Sequence, residues 1–374
     1  AGAYDAHNLL PRDPLMTESE FQALAPRLAD LRAALPERRR ILIIPHDFPD
    51  PDALSAAAAF HLLLDKHFGL QSQIAFSGEV SRAENKELLR QMRCRWHKLG
   101  DLRLRRQADH DCVLVDTSPG SRNVTLPPGC RVRAVFDHHE LKTAPAPGAF
   151  FFDIRHEVGA TTTIAHQYLQ AAALEPPRWL ASLMAYAIVS ETQDLSREAS
   201  APDLRSYLEL VAHADLRLIG RIRHAPLHRK YFVHLQEALA RARLYRDTAW
   251  THLSGVEQPE IVAEVADLLL RMDGVRWSFC TAELPGRLFV SLRSSRRGAR
   301  CSRILRAAVG RQGAAGGHDQ MAAGYIPTGA EDGVALDERR SVLVRQLLKR
   351  MVRRTRDGAP AAELAARHLV EAEG

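Results

Sequence analysis

The chain has 374 residues, more than one compact domain usually holds, so two domains are expected. Hydrophobic residues make up 46% and charged residues 26%, an ordinary globular mixture that excludes a disordered or fibrous chain. Lys and Arg outnumber Asp and Glu, 51 to 45, and the net charge of +6 favours an anionic partner.

The five cysteines, Cys94, Cys112, Cys130, Cys280 and Cys301, form no CxxC pair, and their number is odd. That pattern excludes a zinc ribbon or a disulfide framework and predicts reduced thiols. The opening AGAYDAHNLLPRDP has no basic stretch followed by an apolar core, unlike a secretory signal. Apolar runs such as Ala181–Val189 are far shorter than a membrane span. A soluble, cytoplasmic protein is expected.

In chain order, Leu24, Leu28, Leu31 and Leu35 recur at helical spacing. ILIIP (41–45) is a continuous apolar run, suited to a strand buried on both faces. Ala53–Phe68 reads as an Ala/Leu-rich helix. DCVLV (111–115) and VRAVF (132–136) are two more buried strands, and Gly159–Gln170 and Trp179–Val189 read as helices. Alternating strands and helices predict an α/β fold with a mostly parallel sheet. Pro202–Arg246 reads as nearly all helix. TAWTHLSGV, WSFCTAEL and RLFVSLRS then read as strands around a helix at Pro259–Met272, a smaller second α/β unit. Residues 336–374 add helix with a basic run, Lys349, Arg350, Arg353, Arg354 and Arg356.

Chemistry-bearing residues follow the strands. His46, Asp50 and Asp52 crowd the loop after ILIIP. Asp52 also reads as an ordinary helix N-cap. Asp116 follows VLV, where turn chemistry is the better reading for that residue taken alone. Asp137, His138 and His139 follow AVF. Glu191 and Asp194 end a later helix. Parallel sheets build their sites beyond the carboxyl ends of strands, so these groups are expected on one sheet edge. Oxygen and imidazole donors without thiolates suit Mn²⁺ or Mg²⁺. Two such ions about 3.5–4 Å apart suit phosphate ester hydrolysis. In the second unit, Gly316-Gly317-His318 reads as a glycine-rich turn able to approach an anion, with Arg293 at a strand end.

With those motifs in this order, the sequence resembles the DHH family of phosphoesterases, in the subgroup with a DHHA1-type second domain. Oligoribonucleases of very short RNA and phosphatases of 3′-phosphoadenosine 5′-phosphate belong to that subgroup. The resemblance covers roughly residues 40–330. The expected layout is a DHH-type metal-binding catalytic domain at 1–225 with an N-terminal helical extension, a linker helix at 226–250, a DHHA1-like substrate-binding domain at 251–335 and a C-terminal helical extension at 336–374, the two extensions falling outside the resemblance. The resemblance implies metal ligands at His46, Asp50, Asp52, Asp116, His138 and Glu191, with Asp116 bridging two Mn²⁺ ions, or Mg²⁺. His139 and Asp137 are the implied catalytic residues, and Arg293, Gly316, Gly317 and His318 the substrate contacts. The implied activity is hydrolysis of short oligonucleotides or small nucleotide phosphates by a metal-activated hydroxide. The partner is then a short RNA or nucleotide, with no membrane, and a homodimer is left open. A pyrophosphatase or polyphosphatase on the same centre, or a non-catalytic nucleotide- or RNA-binding protein, are the alternatives. Where the family pattern has Asp-Thr in its fourth motif, this chain has Glu191-Thr192, with Asp194 as a fallback ligand.

Overall fold

The computed structural model describes residues 17–37, 40–102, 110–121, 123–140, 150–317, 319–328, 336–352 and 367–368. It divides into two units, Ala1–Pro226 and Leu227–Gly374.

The first unit runs α1 (Glu18–Ala34), β1 (Ile41–Pro45), α2 (Pro51–Lys66), β2 (Ser72–Phe76), α3 (Ala83–Gln91), β3 (Trp96–Lys98), β4 (His110–Val115), β5 (Cys130–Asp137), β6 (Phe151–Ile154), α4 (Thr161–Ala171), α5 (Arg178–Glu191), α6 (Ala201–His213) and α7 (Leu216–Arg223). Its six strands pair in the order β3-β2-β1-β4-β5-β6, every pair parallel. β1 is buried along its whole length, as its unbroken apolar run requires. The short strands β2, β3 and β6 carry weak apolar patterns and were not predicted; pairing at the sheet's flanks holds them.

Over one face, Phe60 of α2 stacks on Phe136 of β5 at 3.9 Å between ring centroids, and Tyr168 of α4 meets Phe136 edge-on. Buried aromatics set this way add about 0.5–1.5 kcal/mol per pair beyond area burial. The helical spacing of Leu24, Leu28, Leu31 and Leu35 delivers all four into the same core. α1 is therefore an integral layer of the first unit.

The second unit runs α8 (Arg229–Ala240), β7 (Arg243–Tyr245), β8 (Thr248–Leu253), α9 (Glu260–Leu270), β9 (Trp277–Leu284), β10 (Arg287–Ser294), α10 (Cys301–Val309), β11 (Ala314–Gly317), β12 (Met321–Pro327), α11 (Leu336–Val352) and β13 (Arg367–His368). The sheet order is β11-β12-β10-β9-β8-β7-β13. β8 and β9 are parallel, and the other neighbours are antiparallel. One face packs on α9, through Val262, Val265 and Leu269. The other packs on α10 and α11, through Ile304, Leu305, Leu343 and Leu347.

Three expectations need correction. Helix does not fill 226–250: it ends at Ala240, and Arg243–Tyr245 pairs with β8 because Leu244 finds an apolar partner cluster there. Residues 336–352 are no appendage. Leu343, Leu347, Leu348 and Met351 are buried in the second core, so α11 completes that unit. Gly316 and Gly317 lie in a strand, and the missing Cβ of Gly317 lets β11 close against β12.

Candidate metal centre

The three central strands β1, β4 and β5 end side by side, and each releases donor groups at its carboxyl end. After β1, Asp50 caps α2 by accepting the Ala53 amide at 3.0 Å. The capping role thus falls to Asp50, and Asp52 is free for another partner. After β4, Asp116 sits at φ +59°. That left-handed conformation is uncommon outside glycine but tolerated by Asp. It ends the strand abruptly on a buried carboxylate. After β5, His138 and His139 follow Asp137 directly.

These groups converge. His46 Nε2 lies 3.4 Å from Asp116 Oδ2 and 3.7 Å from Asp50 Oδ2. His138 Nε2 lies 3.6 Å from Asp116 Oδ1 and 4.0 Å from Asp52 Oδ2. Among the described residues, two donor sets have their atoms mutually within 4.8 Å: His46, Asp50 and Asp116, and Asp116, His138 and His139. Asp116 belongs to both.

The fit to cations rests on features of the donors themselves. His138 Nε2 is buried and has no hydrogen-bond partner. A buried polar atom left so costs about 1–3 kcal/mol, a loss that a bound cation offsets. His46 Nδ1 is 2.8 Å from the Asp47 carbonyl, which can only accept, so Nδ1 carries a proton and Nε2 is the nitrogen that a cation would take in place of its proton.

The electrostatics agree. Burial, then Asp116, Glu191 and Asp50, push the Asp52 carboxyl well above its ordinary pKa. Burial, Asp50 and Asp116 push Glu191 up to about 8. Burial opposes protonation of His46, but Asp116 and Asp50 still raise its pKa well above the ordinary value. Asp50 is lowered in return by His46, again against burial. Carboxylates crowded like this demand positive charge.

Asp52 spans to α4. Its Oδ2 accepts the Thr161 amide and its Oδ1 the Thr162 amide, both at 2.8 Å, at the helix N-terminus where a negative charge is favoured. Thr161 Oγ1 donates to Asp116 Oδ1 at 2.7 Å. Asp203, fully buried, accepts the Gly159 amide at 2.7 Å and the Thr163 hydroxyl, and so anchors the α4 entry from α6. Gly159 is required there: a Cβ would stand 2.7 Å from Thr192 Cγ2 and 2.8 Å from the Glu198 carbonyl oxygen. By resemblance DIRHEVGATTTIA (153–165) reads as the family's helix entry, but sequence reasoning gave Thr161 and Thr162 no role and missed Asp203. The one signal was the run of three threonines at a helix start, since hydroxyls there satisfy groups outside their own helix.

Asp137 is buried at the end of β5. Ser118 Oγ donates to its Oδ2 at 2.6 Å, and the His139 ring Nδ1 lies 2.9 Å from its Oδ1. Both of its oxygens are thus engaged, and His139 is held against one of them. Against the pull of burial, Asp137 and then Asp116 raise His139 to about 9, and His139 lowers Asp137. Glu191 is drawn into the cluster's field, with Arg197 Nη2 4.0 Å away. Asp194, the fallback, is exposed and paired with Arg223 at 2.6 Å.

In the second unit, Arg293 is no open substrate contact. Its Nε binds Asp267 at 2.6 Å and its Nη1 binds Ser291 Oγ at 2.8 Å. Gly316 and Gly317 lie on the edge strand β11. A Cβ at Gly317, with φ +134°, would stand 2.3 Å from the Met321 carbonyl oxygen, whereas Gly316 has open space. His318 lies outside the described residues. The described residues contain no helix long and apolar enough to cross a membrane.

Residues 40–188 match the N-terminal domain of the DHH family, and residues 251–350 match the DHHA1 domain. The chain belongs to the DHH family. The second match extends through most of α11, in keeping with that helix's place in the second core. An uncharacterized protein of Methanocaldococcus jannaschii is 28% identical over 313 residues, 83% of this chain and 62% of that protein. A Streptococcus pyogenes protein named "Probable manganese-dependent inorganic pyrophosphatase" is 22% identical over 153 residues, 41% of this chain and 48% of that one. This DHH chain thus spans about three-fifths of the first relative's length and about half of the second's. The crystal structure of an exopolyphosphatase-related protein from Bacteroides fragilis superposes with a TM-score of 0.68 at 16% identity, covering 88% of this chain and 97% of that one. That likeness concerns the fold.

Proposed function

We propose that the chain is a divalent-metal-dependent phosphoesterase acting on short oligonucleotides or small nucleotide phosphates, with Mn²⁺ as the working metal. The reading rests on one observation: Asp116 is shared by two donor sets, and the buried Nε2 of His138 beside it has no other partner. Family membership and the manganese-dependent relative's name support the same chemistry.

His46, Asp50 and Asp116 would hold one cation, and Asp116 and His138 the other, with Asp52 and Glu191 closing the set. Bound divalent cations supply an activated water at neutral pH and positive charge against phosphoryl oxygens. His139, held by Asp137, is the one cluster imidazole with a large exposed fraction, 41% of its side chain. That exposure would let it meet a scissile phosphate, orient it or return a proton to the leaving oxygen. In the second unit, Gly316 and Gly317 on a free strand edge, with His318, are the proposed contact for a second phosphate of the substrate.

The test compares Mn²⁺-supported hydrolysis of two- to five-residue RNA, 3′-phosphoadenosine 5′-phosphate, cyclic dinucleotides and pyrophosphate. Preference for the short RNA or the nucleotide is expected. Turnover of pyrophosphate alone would reject the substrate class, and no turnover of any would reject the activity.

A further inference from the structure

A second cluster of chemistry lies wholly within the second unit. A cavity of about 640 Å³ opens beside α11 over the β7–β9 part of the sheet. That volume is within the range of roughly 300–1,000 Å³ in which small-molecule sites fall. Its apolar wall is Trp250, Val344 and Leu348. Trp250 is fixed by stacking on Phe279, with centroids 5.7 Å apart and planes 6° from parallel.

The rim is cationic. Arg241 is held by Glu237 at 2.6 Å, and Arg340 by Asp337 at 2.6 Å. Arg243 and Arg345 also line the cavity, are exposed, and have no acidic partner among the described residues. On the floor, His252 bridges Thr281 Oγ1 at 2.9 Å and Glu283 at 3.4 Å. Burial and then the Arg340 charge lower the His252 pKa, the direction expected where positive charge is in excess. Arg293 lies elsewhere: it turns to Asp267 on α9, which covers the opposite face of the sheet.

An aromatic wall, hydroxyl and imidazole groups on the floor and two uncommitted guanidiniums at the rim match a planar ring carrying a phosphate. We propose that this cavity binds a nucleoside monophosphate, with the ring against Trp250 and Val344 and the phosphate between Arg243 and Arg345. The site is independent of the metal centre and of the activity proposed for it.

The test is calorimetric titration of the full chain with AMP, inorganic phosphate and adenosine. AMP should bind more tightly than either fragment, and equally well to an Asp116→Asn chain. The double variant Arg243→Glu/Arg345→Glu should bind AMP at least tenfold more weakly; both side chains are exposed, so the core is spared. Unchanged affinity in the double variant, or no AMP binding by the parent chain, overturns the proposal. So does binding that disappears in Asp116→Asn while surviving in the double variant, because AMP would then occupy the metal centre. AMP binding no tighter than phosphate overturns the aromatic part.

Discussion

Nε2 of His138 is buried without a hydrogen bond and stands 3.6 Å from Oδ1 of Asp116. An imidazole nitrogen and a carboxylate oxygen at that separation can share a cation. Replacing His138 with Ala should lower Mn²⁺ affinity by at least tenfold and reduce hydrolysis in proportion. The metal-free chain should fold as before, because no hydrogen bond to that nitrogen is lost. Mn²⁺ titration by calorimetry, paired with a thermal melt, checks both halves. Unchanged affinity would remove His138 from the ligand set.

Glu191 gives an opposite signature in the metal-free chain. Its carboxylate is crowded by burial, Asp50 and Asp116, with Arg197 and His139 in opposition. Glu191→Gln relieves that repulsion, so metal-free stability should hold or rise by about 1 kcal/mol, roughly 2–4 °C in Tm. The rise in Tm on adding Mn²⁺ should shrink, since a ligand bound only by the folded state stabilises by mass action. A variant with lower metal-free Tm and an intact Mn²⁺ response would place Glu191 outside the centre.

Much of this site was legible because strand ends mark it locally. ILIIP, DCVLV and VRAVF each carry their donors immediately after the last apolar residue, and a parallel sheet aligns those ends. What stayed hidden depends on partners far along the chain. Asp52 is satisfied by amides at Thr161 and Thr162, and Arg293 by Asp267; no local window contains either pair. Gly316 and Gly317 read as a turn because glycine frees the backbone, yet the alanines and Gly324 of β12 recruit them into a strand. α11 read as an extension because its apolar face declares a core without saying whose.

Thr161 tests the support of the bridging carboxylate. Thr161→Val keeps the volume and removes the 2.7 Å hydrogen bond to Asp116. Losing a group that orients a ligand costs roughly 10–100-fold in metal affinity or activity. Turnover should fall in that range while the fold survives, and Thr161→Ser, which restores a hydroxyl, should recover most of it. Parent-like kinetics in the valine variant would make the contact incidental.

Asp203 links this support to stability. It accepts the Gly159 and Ser200 amides and the Ser200 and Thr163 hydroxyls, capping α6 while fixing the entry to α4. Asp203→Ala strands the buried Gly159 amide, at about 1–3 kcal/mol, and breaks the N3 half of the capping box whose N-cap is Ser200. Denaturant unfolding should show a loss of about 2–4 kcal/mol. Asp203→Asn should lose less, and a loss under 1 kcal/mol in the alanine variant would refute the anchoring role.

His166 predicts how the protein responds to acid. It is buried on α4, its Nδ1 has no partner, and burial, then His213, lower its pKa to about 3. The unfolded chain takes up this proton near pH 6.5, whereas the folded chain resists it until about pH 3. The unfolded state therefore binds more protons across that window, and stability falls as pH drops through it. The slope is half of 1.36 kcal/mol per pH unit at pH 6.5 and approaches the full value below it, so the loss from this residue between pH 6.5 and pH 5 is about 1.6 kcal/mol. His166→Leu should flatten that part of the stability–pH curve while matching the parent's slope above pH 7. Denaturant unfolding at pH 7, 6 and 5 reads the difference, and equal acid sensitivity in both chains would assign it to other groups.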